Sequence, residues 1–428
     1  MTERPGGERV ISERVESVRS VALGFWICAG SRDESDAQGG LTHFIEHLLF
    51  KGSRDYSAQE IAEIFDGLGG EINAATSREN TVVYARVPDT HLETALDVMA
   101  DMVFSPRFSD LDSEREVVLE EIAMVEDAPQ DLVHDFLSEA VFGRHPLGRP
   151  VIGTADVIST VSPEQIAAYH DAMYAGPRIV IASAGNVEHE RLLAALERAE
   201  RGRTGGDRQG DPNGRVPLLD ELPPSIRFAA KDTEQFHVCL GAPGIARSDP
   251  RRFVLSLFDS ILGGAASSRL FQEIREKRGM AYAVYSFTSQ YTDTGLIGIY
   301  VGTRDDNVRA CLEIVAAQIA EIAAGNLRPK ELERAKENLK GRIVLSMEST
   351  SNRMSRLGKS LITDTEILTF EELLAEIDAV DAHAVAELAA LLAPERISAA
   401  GIGPSEERFR KAVACVNPDL VASTSGGV

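Results

Sequence analysis

Apolar positions along this chain change period several times, and each change predicts an element. Residues 9–30 carry Val10-Ile11, Val15 and a run rich in aromatic and β-branched residues from 20 to 30, the pattern of strands. Between Gly39-Gly40 and Gly52 the period becomes helical. At about 100° per residue Leu41, Phe44, Ile45, Leu48 and Leu49 share one face, and His43, Glu46 and His47 fall roughly opposite. One face packs and the other is left for chemistry. Ala58–Leu68 reads as a second amphipathic helix stopped by Gly69-Gly70, residues 81–87 as a strand, and 90–104 and 111–126 as helices.

In the helix 111–126, Val117, Val118, Met124 and Val125 make the expected apolar stripe, with Glu114 and Glu121 projecting from its middle and Glu116, Glu120 and Glu126 pointing elsewhere. A carboxylate in a core-facing stripe is costly unless something positive or hydrogen-bonding meets it. A metal ion at His43 and His47, or an Arg or Lys partner, answers that need equally well.

Further on, Pro163–Met173 reads as a helix and 178–184 as a strand, before a glycine-rich polar stretch at 201–214 that predicts a flexible linker. The expected division is 1–202, a linker at 203–219, and 220–428. Past the linker the chain repeats itself. Thr76-Ser77 matches Thr288-Ser289 at a shift of 212 residues, Arg32 matches Arg247 at 215, and the stretch from Leu92 matches that from Val308 at 216. At a shift of 215, His43, Glu46 and His47 become Phe258, Ile261 and Leu262, so the second copy has no metal ligands there. Residues 267–277 read as a helix ended by Gly279, and 281–285 as a strand. Arg275 and Tyr282 lie seven apart across that turn, a spacing that by itself describes a surface Arg and a half-buried Tyr.

Length fits this division, since 428 residues exceed what one core usually serves. Residues 1–7 are polar and no 18-residue apolar run follows, which predicts a cytoplasmic, soluble protein without a membrane partner. Four widely spaced cysteines, Cys28, Cys239, Cys311 and Cys415, predict reduced thiols in place of a disulfide framework or zinc knuckle. A formal net charge of −23 argues against nucleic acid as partner and otherwise serves solubility.

The chemistry lies in His43-Phe44-Ile45-Glu46-His47. Two histidines one helical turn apart can hold one ion with neutral imidazole nitrogens, and the intervening carboxylate can act as general base without ligating it. This H-x-x-E-H order points to a zinc hydrolase. A serine hydrolase is disfavoured, because no G-x-S-x-G elbow occurs.

Several ordered motifs together resemble the pitrilysin/insulinase family, and its mitochondrial-processing-peptidase-like bacterial branch most of all. They are His43-Phe-Ile-Glu-His47-Leu-Leu-Phe-Lys-Gly52, Asn73-Ala-Ala-Thr76, Glu114-Arg-Glu-Val-Val-Leu-Glu-Glu121, Leu262-Gly-Gly, Ser268-Arg-Leu-Phe271 and the stretch from Arg275 to Tyr282. The resemblance implies one zinc ion per chain, held by His43, His47 and Glu121, with Glu46 as catalytic base and Glu114 as an additional carboxylate behind the ligands. It implies that Arg275 and Tyr282 meet the substrate, and that an extended peptide lies against Asn73 and Ala74. It also implies the fold class α+β, with two homologous α/β domains, each a mixed, mostly antiparallel sheet with helices packed on it, and a homodimer, or a heterodimer with a metal-free homologue. Two functions follow as expectations: a zinc endopeptidase acting on extended or unfolded peptides, or a zinc-keeping binding or scaffold subunit that needs a partner chain for proteolysis.

Overall fold

The structure is a computed structural model and describes residues 1–199, 215, 217, 218 and 222–422. Most of the expected linker at 203–219 therefore lies outside the described residues. The chain forms two compact units, Met1–Met124 with Arg149–Val216 and Val344–Ile367, and Val125–Gly148 with Pro217–Ile343 and Leu368–Val428.

The first unit is built on six strands: β1 (Thr2–Glu3), β2 (Arg9–Arg14), β3 (Ser20–Ile27), β4 (Glu71–Thr76), β5 (Thr81–Pro88) and β6 (Ile179–Gly185). Their order is β1-β2-β6-β3-β5-β4, and β2–β6 is the one parallel pairing among them. Strand β3 is buried on both faces, and its two-residue period divides it between two cores. Val21, Leu23, Phe25 and Ile27 join a core with the helices Leu41–Leu49 and Leu92–Phe104, whereas Ala22 and Trp26 join a second core with Met354 and Leu357. These last two belong to the helix Thr350–Ile362, more than three hundred residues further along the chain. Trp26 Nε1 lies 3.4 Å from Met354 Sδ, and Gly358 lets the helix approach closely, since a Cβ there would meet the Trp26 indole at 2.1 Å.

The second unit repeats the plan with β7 (Ile226–Ala230), β8 (Phe236–Gly244), β9 (Ala281–Gln290), β10 (Gly295–Thr303) and β11 (Ser398–Gly403) in the order β7-β11-β8-β10-β9. Again one pairing, β7–β11, is parallel and the others are antiparallel. In chain order β7 to β11 thus take the places of β2 to β6, leaving β4 and β9 as equivalent edge strands. The helix Arg252–Leu262 corresponds to Leu41–Leu49, and Phe258, Ile261 and Leu262 are fully or almost fully buried on it. Where the first copy has its polar triad, the second has core. The far face of this sheet is covered by Val133, Leu137, Val141 and Phe142 of the helix Pro129–Phe142.

The compact units therefore cross the division expected at 202/220 twice, because each copy contributes one helix to the other copy's unit. The physical reason is that both sheets are apolar on two faces, and a sheet face needs cover from whichever helix reaches it. A second departure lies at 267–277, where Phe271–Glu276 is a π-helix with Lys277 N–H donating to Gln272 O at 3.0 Å in place of the expected α-helix. The four cysteines are unpaired, and Cys28, Cys239 and Cys311 are buried. No described helix is long and apolar enough to cross a membrane.

Candidate metal centre

The helix Leu41–Leu49 is fixed before any ligand is considered. Leu41, Phe44, Ile45, Leu48 and Leu49 are all at 0% exposure, so hydrophobic burial sets its rotation. Its N-terminus begins at Gly40, whose φ of 92° and closeness to Ile152 O, 2.5 Å from a built Cβ, leave room only for glycine. The free N–H groups there are met by a carboxylate from outside the helix: Gly40 N–H donates to Glu34 Oε2 at 2.9 Å and Thr42 N–H to Glu34 Oε1 at 2.7 Å. Burial pushes the Glu34 carboxyl up to about 7, against the pull of those same backbone bonds.

With the apolar face inward, His43, Glu46 and His47 project from the other side, only partly buried. The helix Leu111–Asp127 brings Glu121 to them. Glu121 Oε2 lies 3.4 Å from His47 Nε2 and 3.8 Å from His43 Nε2, and one ligand atom from each of the three residues falls within 4.8 Å of the others. Among the described residues this is the one such group of three or more His, Cys, Asp or Glu. Burial, with the neighbouring His47, lowers the His43 pKa to about 4, which keeps it neutral and able to offer a lone pair. His47 Nδ1 lies 2.9 Å from Glu114 Oε1, and this contact points its other nitrogen, Nε2, toward Glu121.

The stripe expected on the Leu111–Asp127 helix is corrected in phase. Val117 and Met124 are 50% and 71% exposed, whereas Glu114, Val118 and Ile122 are buried. The helix is acidic on most sides, so its few apolar residues do not define a rotation; contact with the neighbouring core does. The two glutamates also divide the alternatives left open from sequence. Glu114 meets a lysine, with Lys51 Nζ donating to its Oε2 at 2.7 Å, while Glu121 faces the imidazoles. Lys51 is four residues after His47, a helical spacing that could have flagged it.

Glu46 is held from strand β4, where the Thr76 hydroxyl donates to Glu46 Oε2. Burial raises its pKa, opposed by that hydrogen bond and by His47. Asn73 and Ala74 lie on the same strand, and Ala74 N–H donates to Asn73 Oδ1 at 2.8 Å. In the second unit, Arg275 and Tyr282 do come together. The guanidinium sits between two rings, 4.5 Å from the Tyr282 centroid and 4.7 Å from that of Phe271. Tyr282 is 78% exposed, more open than its spacing suggested, and the pair borders a cleft of about 350 Å³ with Gly263, Gly264 and Tyr285.

Comparison with known proteins places the chain in a family. Residues 9–155 match the model described as Insulinase (Peptidase family M16), and residues 160–339 that described as Peptidase M16 inactive domain. The chain belongs to the insulinase family of peptidases, M16. Relatives of this M16 protein include an uncharacterized zinc protease of Streptomyces coelicolor, 41% identical over 95% of this chain and 90% of that protein. Another, YmxG of Bacillus subtilis, also described as an uncharacterized zinc protease, is 40% identical over 93% of this chain and 97% of its own. Two solved structures share the fold. A peptidase M16 inactive domain from Pseudomonas fluorescens has a TM-score of 0.85 at 24% identity, covering 94% of this chain and 97% of that one. A protease from Helicobacter pylori has a TM-score of 0.86 at 20% identity, covering 94% and 98%. Zinc is the cofactor of this M16 family, and two imidazoles with one carboxylate are a donor set that suits it.

Proposed function

We propose that this M16 protein is a zinc-dependent endopeptidase that hydrolyses extended or unfolded peptides. The observation that carries the reading is the convergence of His43, His47 and Glu121 with a partly buried carboxylate, Glu46, on the same helix. In this reading His43, His47 and Glu121 hold the metal. Zinc bound there supplies a Lewis acid that acidifies water and polarises a peptide carbonyl. Glu46 accepts the proton of the attacking water and returns it to the leaving amine. Glu114 keeps the His47 ring oriented. Asn73 and Ala74 offer the open edge of β4 to the backbone of an extended peptide, a contact that reads shape more than side-chain identity. Arg275 and Tyr282 present a cation and a phenol to a substrate oxygen. The chain acts in the cytoplasm as a homodimer, or with a metal-free homologue.

The test is hydrolysis of an extended fluorogenic peptide, with zinc content, for wild type and Glu46→Gln. The variant should keep its zinc and lose about 10²- to 10⁴-fold in rate. Retained hydrolysis would remove Glu46 from its role as base. A zinc-loaded wild type that cleaves no extended peptide alone would favour the scaffold subunit that needs a partner.

A further inference from the structure

We propose that Thr76 is a positioning residue for the base: its hydroxyl ties Glu46 to the strand that receives the peptide, so that base and substrate share one frame. The proposal rests on the peptidase reading above. A glutamate reaching out from a helix has three side-chain torsions, and the helix alone fixes none of its carboxylate orientation. Thr76 does so from outside. Its hydroxyl donates to Glu46 Oε2, and as a β-branched residue it is stiff at χ1.

The hydroxyl is itself well anchored. Thr76 pairs directly with Thr81 across β4 and β5, and the two Oγ1 atoms are 3.4 Å apart. Thr81 is fully buried and gives its own proton to Ala29 O at 3.0 Å. Immediately after Thr76 the strand closes in a turn, with Ser77 N–H donating to Asn80 O at 2.8 Å. The end of β4 is therefore a fixed point.

The same strand carries the open edge. Ala74 N–H is taken by the Asn73 side chain, which places Ala74 on the unpaired side of β4. Backbone groups two residues apart point the same way, so Thr76 follows Ala74 on that edge, about 7 Å along. A peptide that pairs near Ala74 is thereby registered against the residue that holds the base.

Thr76→Val removes the hydroxyl and keeps the shape. Its kcat should fall about 10- to 100-fold, the range for a lost hydrogen bond to a charged group, with KM within about twofold and zinc content unchanged. Thr76→Ser should recover most of the loss, which a merely structural role for the methyl group would not allow. A readout independent of turnover is the melting temperature of the metal-free protein in a cycle of Thr76→Val, Glu46→Ala and the double variant. The effects should be non-additive. Should Thr76→Val not fold, Thr76→Ala takes its place in the cycle. Unchanged kcat in Thr76→Val, no recovery in Thr76→Ser, or additive melting shifts would overturn the proposal. Wild type that cleaves nothing would overturn the peptidase reading, and the melting cycle would still judge the contact between Thr76 and Glu46.

Discussion

Replacing Glu114 by Gln should weaken zinc binding without unfolding the protein. Glu114 is 4% exposed, and both its oxygens are engaged, one 2.9 Å from His47 Nδ1 and the other 2.7 Å from Lys51 Nζ. Gln preserves the shape and keeps only one acceptor. Its amide nitrogen must then face either the imidazole N–H or the lysine ammonium, a donor against a donor. The His47 ring loses the anion that orients it. Loss of such a partner behind a metal ligand costs about 10- to 100-fold in affinity, or ~1.4–2.8 kcal/mol. Because Lys51 is about one-third exposed, the accompanying loss of folding stability should be only about 1 kcal/mol. The assay is competition for zinc against a fluorescent chelator at fixed pH, with circular dichroism to confirm folding. Glu120→Gln, an exposed change on the same helix, serves as control and should bind like wild type. A folded Glu114→Gln protein that binds zinc within twofold of wild type would refute this account of the ligand's support.

Two further outcomes follow from other parts of the chain. Asp259 is pushed up to about 6 from 3.8 by burial, against the pull of the Ser286 hydroxyl at 2.6 Å and of Arg342. The folded state thus holds this proton more tightly than the unfolded chain. The contribution of Asp259 to stability should be fully present below about pH 4 and be lost, by ~3 kcal/mol, as pH rises through 6. In urea melts Asp259→Asn should flatten that slope, and an unchanged slope would show that Asp259 is not its source. Ala74→Pro removes an N–H that bonds to the Asn73 side chain, so stability should change by no more than about 1 kcal/mol. If peptides pair with this edge, kcat/KM should drop at least about tenfold. Unaltered kinetics would remove the edge from substrate binding.

Much of the fold was legible because it is local. The buried face of Leu41–Leu49, the Gly69 stop and the helix Pro163–Met173 follow from spacing and capping within a few residues. The repeat was visible as a nearly constant offset, and the two equivalent strand orders account for it. Less visible were elements whose pattern is ambiguous in isolation. Val117 and Met124 look like core on a helical wheel and are exposed, and a π-turn at Phe271–Glu276 differs from an α-turn only in how the backbone packs.

By itself the sequence determined which residues could carry the chemistry: His43, Glu46 and His47 share a face because a 3.6-residue period leaves no other arrangement once the leucines are buried. Only the tertiary structure decided what they meet. Glu121 comes from another helix and Thr76 from an edge strand, and Lys51 instead of an ion answers Glu114. It also decided that Thr350–Ile362 and Pro129–Phe142 would each cover the sheet of the other copy. A side chain's periodicity records that it must be buried or paired; the partner is chosen by whichever surface the folded chain brings to it.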